Sequence, residues 1–236
     1  MFKSFKNLSR FELCLWLTSL VVILVSALLG GRENLPSALC SAVGVTALIF
    51  VAKGDVLGQV LTIVFALGYG AISLTFAYYG EMITYVFMST PMALLAVIAW
   101  LRHPYKPDES EAQAKAGEVA VGHVGAREAV LMFVAAAAVT GVFYFILKAL
   151  DTANLGFSIL SVTTSFLASY LTFRRSPYYA LAYAANDLVL IVLWVLAALV
   201  NVRYLSMVCC FVMFFANDLY GFYSWQKMKK RQSAGM

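Results

Sequence analysis

The sequence predicts an all-α membrane protein: eight transmembrane helices, arranged as two parallel three-helix bundles joined by a linker helix, with one extra helix at the N-terminus. Three observations carry this. The 236 residues are 62% hydrophobic and only 12% charged, with a mean hydropathy of +0.84, against about 25% charged residues in an ordinary soluble domain. A water-soluble fold of this size could not hide so much apolar surface. The apolar residues fall in runs near the ~20 residues that a spanning helix needs, and the basic residues gather in the breaks on one side. The composition excludes a cytosolic enzyme, a disordered chain and a nucleic-acid binder.

Taken in order, the runs cover residues 11–30, 35–52, 56–79, 82–101, 129–150, 154–173, 178–200 and 204–225. The first is too rich in Leu and Trp, and too poor in a small-residue cleavage site, for a secretory signal. Gly30-Gly31-Arg32-Glu33-Asn34, Lys53-Gly54-Asp55, Gly80-Glu81 and Arg174-Arg175-Ser176-Pro177 mark the short breaks. The single long connection, His103 to Arg127, is charged, contains Pro104 and Pro107, and reads as a solvated linker. His103 and His123 lie within it and receive no role. The expected division is therefore 1–30 (extra helix), 31–101 (first bundle), 102–126 (linker loop), 127–150 (linker helix), 151–226 (second bundle) and 227–236 (basic tail).

Eight spans put both termini on one side. That side collects every Lys and Arg of the seventeen except Arg32, Lys148 and Arg203. An excess of that size predicts cytoplasmic termini. The net charge of +5 thus reads as topology and lipid contact. Cys14, Cys40, Cys209 and Cys210 all sit inside apolar runs, as small packing residues rather than a disulfide or zinc framework.

The two blocks 35–100 and 154–225 share a plan: a short helix dotted with Ser and Thr, a basic break, a long middle helix, an outer turn and a last helix ending in Trp. An odd linker helix between them makes the blocks parallel, a transporter plan whose substrate site lies at the repeat interface. Ala135-Ala136-Ala137-Ala138 in that linker helix would let neighbouring backbones approach closely.

Ionisable groups deep in a bilayer are costly and normally face the bundle interior. Asp187 and Asp218 stand out, each preceded by an asparagine: Asn186-Asp187 and Asn217-Asp218. Helical spacing puts Tyr179, Tyr183, Asn186, Asp187 and Trp194 on one face, and Asn217, Tyr220, Gly221 and Ser224 on another. Thr164 belongs to a hydroxyl stripe with Ser158, Ser161, Ser165, Ser169 and Thr172. Amides and hydroxyls for a sugar, rings for a flat base and carboxylates for a cationic ring suit a nucleoside-like solute. The structural alternatives are interhelical hydrogen bonds for the hydroxyls and asparagines, and pairing of Asp218 with Arg174 or Arg175. Pro91 marks a kink that could serve as a hinge. No Gly-rich phosphate loop, metal-spaced cluster or Ser/His/Asp set points to an enzyme or to a cofactor.

The chain resembles the PnuC family of bacterial nicotinamide riboside transporters over nearly its whole length. The resemblance rests on Tyr78-Tyr79-Gly80-Glu81-Met82-Ile83-Thr84-Tyr85 with Pro91-Met92 and Trp100, and on Thr172-Phe173-Arg174-Arg175-Ser176-Pro177. It continues through Asn186-Asp187 with Trp194 to the ending Asn217-Asp218-Leu219-Tyr220-Gly221-Phe222-Tyr223-Ser224-Trp225. It implies a SWEET-like fold, a homotrimer, and facilitated diffusion by alternating access with trapping by a cytosolic nucleoside kinase. Members of the family are also thought to carry thiamine, riboflavin or deoxynucleosides. The family's polar residue after Pro-Met is replaced here by Ala93. With the residues read above, it assigns substrate contacts to Asn186, Asp187, Trp194, Asn217, Tyr220, Tyr183, Tyr69 and Thr164, with no metal and no cofactor.

Overall fold

The computed structural model describes residues 8–31, 34–75, 78–105, 117–152 and 154–234. Lys3, Lys6, Arg32, Lys106 and Lys115, counted above for topology, lie outside the described residues. Among the described residues, eight helices are long and apolar enough to cross a membrane: α1 Arg10–Leu29, α2 Leu35–Ala52, α3 Val56–Thr75, α4 Tyr79–Arg102, α5 Ala126–Ala149, α6 Leu155–Phe173, α7 Tyr179–Val200 and α8 Leu205–Ala234.

Two boundaries differ from the expected ones in an instructive way. Gly80-Glu81 was expected at a break but lies in the first turn of α4, with Glu81 buried. A glutamate there is read from sequence as a solvated end, whereas neighbouring helices cover it. The expected basic tail continues α8 as helix to Ala234, because Met228 and Gln232 bury one face of it.

The helices close into a ring. In each triplet the middle helix packs between the other two (α2–α3–α4 and α6–α7–α8), while α8 packs on α2 and α4 on α6. Each triplet's first helix thus meets the other's last. α1 covers α2 and α8 from outside, and α5 covers α6.

Two tryptophans fasten the junctions in the same manner. Trp225 Nε1 on α8 donates to the Val51 carbonyl on α2 (2.8 Å), and Trp100 Nε1 on α4 donates to the Thr172 carbonyl on α6 (3.0 Å). Their rings meet with centroids 5.5 Å apart. Both breaks after the first helices use a left-handed residue, Gly54 (φ 67°) and Arg175 (φ 57°), which reverses the chain within a few residues.

Part of the linker, expected to be solvated, crosses these breaks. The Val119 N–H donates to the Gly54 carbonyl and the Gly122 N–H to the Arg175 carbonyl. Val119 is buried beside Trp100, Trp225 and Met228. A Cβ at Gly122 would come within 2.1 Å of the Arg174 carbonyl oxygen, so the strap can pass this close only as glycine. Glu118 pairs with Arg231 and accepts from Gln232 Nε2 at 2.9 Å, which secures the strap to the end of α8.

α4 is not a uniform helix. Residues Thr84–Ser89 form a π-helical turn, and the Thr90 N–H reaches back to the Tyr85 carbonyl. Pro91 has no N–H to continue the regular ladder, and the widened turn in front of it brings the Tyr85 and Ser89 side chains to the interior. Such turns recur at functional sites.

Candidate substrate site inside the helix ring

α7 supplies most of the polar chemistry. Tyr179, Tyr183, Asn186 and Asp187 recur at helical spacing and all line a cavity of about 60 Å³ inside the ring. Thr164 Oγ1 and Ser165 Oγ on α6 donate to Asn186 Oδ1 at 2.8 and 3.0 Å. Two donors on the carbonyl oxygen fix the carboxamide so that its NH₂ is presented on the opposite side. Thr164 therefore positions Asn186 and does not itself line the cavity. Tyr183 Oη meets Ser169 Oγ at 3.2 Å.

α8 adds Asp218, whose carboxyl group lies beside that of Asp187. Both residues are buried, 3% exposed, and Asp187 Oδ2 has no hydrogen-bond partner among the described residues. The alternative pairing of Asp218 with a break arginine is not what forms: Arg174 pairs with Glu128 on α5 instead. None of the seventeen lining residues is Lys, Arg or His. The site combines two carboxyl groups with no cation to balance them.

The first triplet contributes shape. Gln59 and Thr62 on α3 and Ser89 on α4 are among its polar share, and Phe65 on α3 and Tyr85 on α4 meet edge to face at 5.9 Å. Phe214 of α8 packs on Phe65 at 5.2 Å. Gly44 on α2 makes room for both, since a Cβ there would lie 2.4 Å from Phe214 Cζ. Phe65, Tyr85, Phe214, Gln59 and Thr62 were not expected from sequence. Apolar and aromatic residues in an apolar helix carry no periodic signal that separates a cavity wall from a lipid face.

Other expected contacts sit elsewhere. Trp194 and Tyr69 are brought together, but one layer further from the breaks: Trp194 Nε1 donates to Tyr69 Oη at 3.0 Å. Tyr69 packs edge-on to Tyr85 at 4.5 Å, so this pair backs the cavity wall without lining it. Asn217 and Tyr220 both turn toward α1. Asn217 Nδ2 donates to Ser19 Oγ (2.9 Å) and to the Met213 carbonyl (2.7 Å), and Tyr220 Oη donates to Glu12 Oε1 (2.9 Å). The extra helix fills the space that sequence reasoning left open beside that face of α8.

Two more acids, each near the end of an apolar run, are buried. Glu12 closes a capping box with Ser9 and takes the Lys53 ammonium at 3.2 Å, with the side chains only 4% and 6% exposed. Glu81 lies beside Ser161 at the other end of the ring, with Oε2 unpartnered among the described residues.

The family model described as "Nicotinamide mononucleotide transporter" matches residues 34–227, which spans both triplets and α5. The chain belongs to that family. A curated relative, "Nicotinamide riboside transporter PnuC" of Neisseria mucosa, is 24% identical over 230 residues, covering 97% of this chain and 86% of the relative. Among solved structures, "Crystal structure of the Vitamin B3 transporter PnuC" aligns with TM-score 0.82 at 23% identity, covering 96% of this chain and 94% of that one. The likeness establishes a shared fold for the whole eight-helix chain. The family is one of transporters.

Proposed function

We propose that the protein carries nicotinamide riboside across the bacterial cytoplasmic membrane by facilitated diffusion, with both termini in the cytoplasm. The names attached to the family and its relative differ in one chemical respect, a phosphate group. The observation that favours the nucleoside is the make-up of the cavity wall: Asp187 and Asp218 face it and, among the described residues, no lining residue is cationic. A pyridinium nucleoside brings a positive ring to that pair, whereas a phosphate ester would enter a buried, acidic site with no cation among the described lining residues to neutralise it. Asn186, oriented by Thr164 and Ser165, offers its NH₂ to a ribose hydroxyl, and Tyr85, Tyr183 and Phe65 supply ring contacts. Phosphorylation of the nucleoside by a cytosolic kinase would then trap it, because the product no longer fits the site it came through.

At about 60 Å³ the cavity is far below the several hundred Å³ that enclose a ligand of this size. Transport therefore requires the triplets to separate and reclose, with the π turn before Pro91 as a point of flexure. A homotrimer, expected from the resemblance, remains part of this proposal.

The test is isothermal binding to the purified protein of nicotinamide riboside, nicotinamide mononucleotide, thiamine, riboflavin and thymidine. Nicotinamide riboside should bind at least 10-fold more tightly than its mononucleotide. Equal affinity for the two would overturn the charge argument, and preference for the equally cationic thiamine would reassign the substrate. The neighbouring carboxyl groups favour one second reading, a proton-coupled carrier. Accumulation in kinase-free proteoliposomes above the outside concentration under a pH gradient would establish it in place of facilitated diffusion.

A further inference from the structure

A second polar cavity, of about 410 Å³, opens at the break side, outside the helix ring. Its charged residues are Glu12, Lys53, Glu118, Lys227 and Arg231, three cations against two acids. Each acid already has a cationic partner. Glu12 accepts from the Ser9 N–H, Lys53 and Tyr220, and Glu118 accepts from Arg231 and Gln232. The unmet capacity belongs to donors: Arg231 Nε is buried without a partner, and Lys227 makes no ion pair among the described residues. Among the described residues, the cavity holds more cationic groups than acids to balance them.

Ser9 and Tyr220 also border a second space, an apolar groove of about 760 Å³ between α1 and α8. Phe11, Leu15, Leu219 and Tyr223 form it, and Phe11, Leu219 and Tyr223 are exposed on the outer surface of the bundle, where acyl chains run. A cationic cavity that continues into a membrane-facing apolar groove is amphipathic in the same sense as a lipid. A free phosphate ester would satisfy the cavity and leave the groove unexplained. A zwitterionic lipid would bring a cation of its own to an already cationic site.

We propose that this is a binding site for an anionic phospholipid of the leaflet facing the basic breaks. Its phosphate sits between Lys227 and Arg231, and an acyl chain lies along the α1–α8 groove. Basic pockets between transmembrane helices are known to take such headgroups. Bound there, the lipid would tie α1, the linker strap and the end of α8 together. The site is distinct from the substrate cavity and stands whichever solute is carried.

The test is thermal unfolding of the protein in neutral detergent, with phosphatidylglycerol, phosphatidylcholine or soluble glycerol 1-phosphate added at equal concentration. A ligand that binds only the native state raises its apparent stability. Phosphatidylglycerol should raise Tm by several degrees (roughly 100-fold saturation), with phosphatidylcholine and glycerol phosphate giving little. Lys227→Gln should at least halve the shift, as should Leu219→Trp, which fills the groove; an unchanged Tm without lipid shows that each variant is folded. Equal shifts from both lipids, a full phosphatidylglycerol shift in both variants, or a full shift from glycerol phosphate alone would each overturn the proposal, the last in favour of a soluble phosphate ester.

Discussion

The two triplets are alike where they hold the ring together and unlike where they face the cavity. Trp100 and Trp225 make the same bond across the two junctions. Lys53 and Arg174, at equivalent breaks, each take a glutamate from the first turn of an outer helix, Glu12 on α1 and Glu128 on α5. A tyrosine joins each pair, Tyr220 on Glu12 and Tyr170 on Glu128. Yet Asn186, Asp187 and Asp218 all come from the second triplet, while the first supplies Phe65, Tyr85, Gln59 and Thr62. A duplicated frame can keep its fastenings, which are needed twice, and concentrate its chemistry in one half, since a single central site needs only one set of polar groups. The outer helices then belong to the frame, one fastened to the break of each triplet.

The largest expected effect tests the fastenings. Trp100→Ala and Trp225→Ala each remove a fully buried indole and its hydrogen bond across a junction, so each should cost about 3–5 kcal/mol. Chemical denaturation in detergent should show losses equal to within about 1 kcal/mol, if the two junctions are equivalent as their geometry indicates. A loss confined to one would break the symmetry at its strongest point.

The glutamates sharpen the comparison by being equivalent in place and unequal in burial. The Glu12–Lys53 side chains are nearly inaccessible, whereas those of Glu128 and Arg174 are 25% and 36% exposed. Glu12→Gln leaves a buried ammonium without its counter-charge and should cost about 3 kcal/mol. Glu128→Gln should cost no more than about 1 kcal/mol, and salt should reduce that further. The same denaturation series, run at low and high salt, separates the two.

How far the sequence discloses this molecule follows from the same contrast. The eight spans are legible because each apolar run is long, and Tyr183, Asn186 and Asp187 because polar residues at helical spacing in such a run must find shelter. Periodicity assigns residues to a face of their own helix but does not say which neighbour covers that face. Asn217 and Tyr220 share a face just as Asn186 and Tyr183 do, yet α1 covers theirs. Glu12, Glu81 and Glu118 look like solvated ends until packing buries them. The cavity's aromatic wall is silent for the opposite reason, since nothing in its composition differs from a lipid-facing surface.

The asymmetry of the cavity is tested by Asp187→Asn. The amide keeps the shape and removes the acid that can face a cationic ring, so affinity for nicotinamide riboside should fall about 10–100-fold, the worth of about 1.4–3 kcal/mol. Thr62→Val on the first-triplet wall, nearly the same size, should change affinity less than Asp187→Asn does. Isothermal titration of both variants decides it, and a larger loss at Thr62 would place the recognising groups in the wrong half.

The smallest effect is expected at Asn217, and it is informative because the residue stands next to Asp218 in sequence and apart from it in function. Its amide reaches Ser19 on α1 and the Met213 carbonyl, so Asn217→Ala should loosen the outer helix at a cost of about 1 kcal/mol. Substrate affinity should stay within about 2-fold of wild type, because no atom of Asn217 lines the cavity. Asn186→Ala, the matching change one helix earlier, should lower affinity by more than 10-fold while leaving α1 in place. If the two asparagines instead proved interchangeable in their effect on binding, then α1 would have to withdraw from Asn217 during transport. The outer helix of the first half would then be a moving part rather than a fixed support.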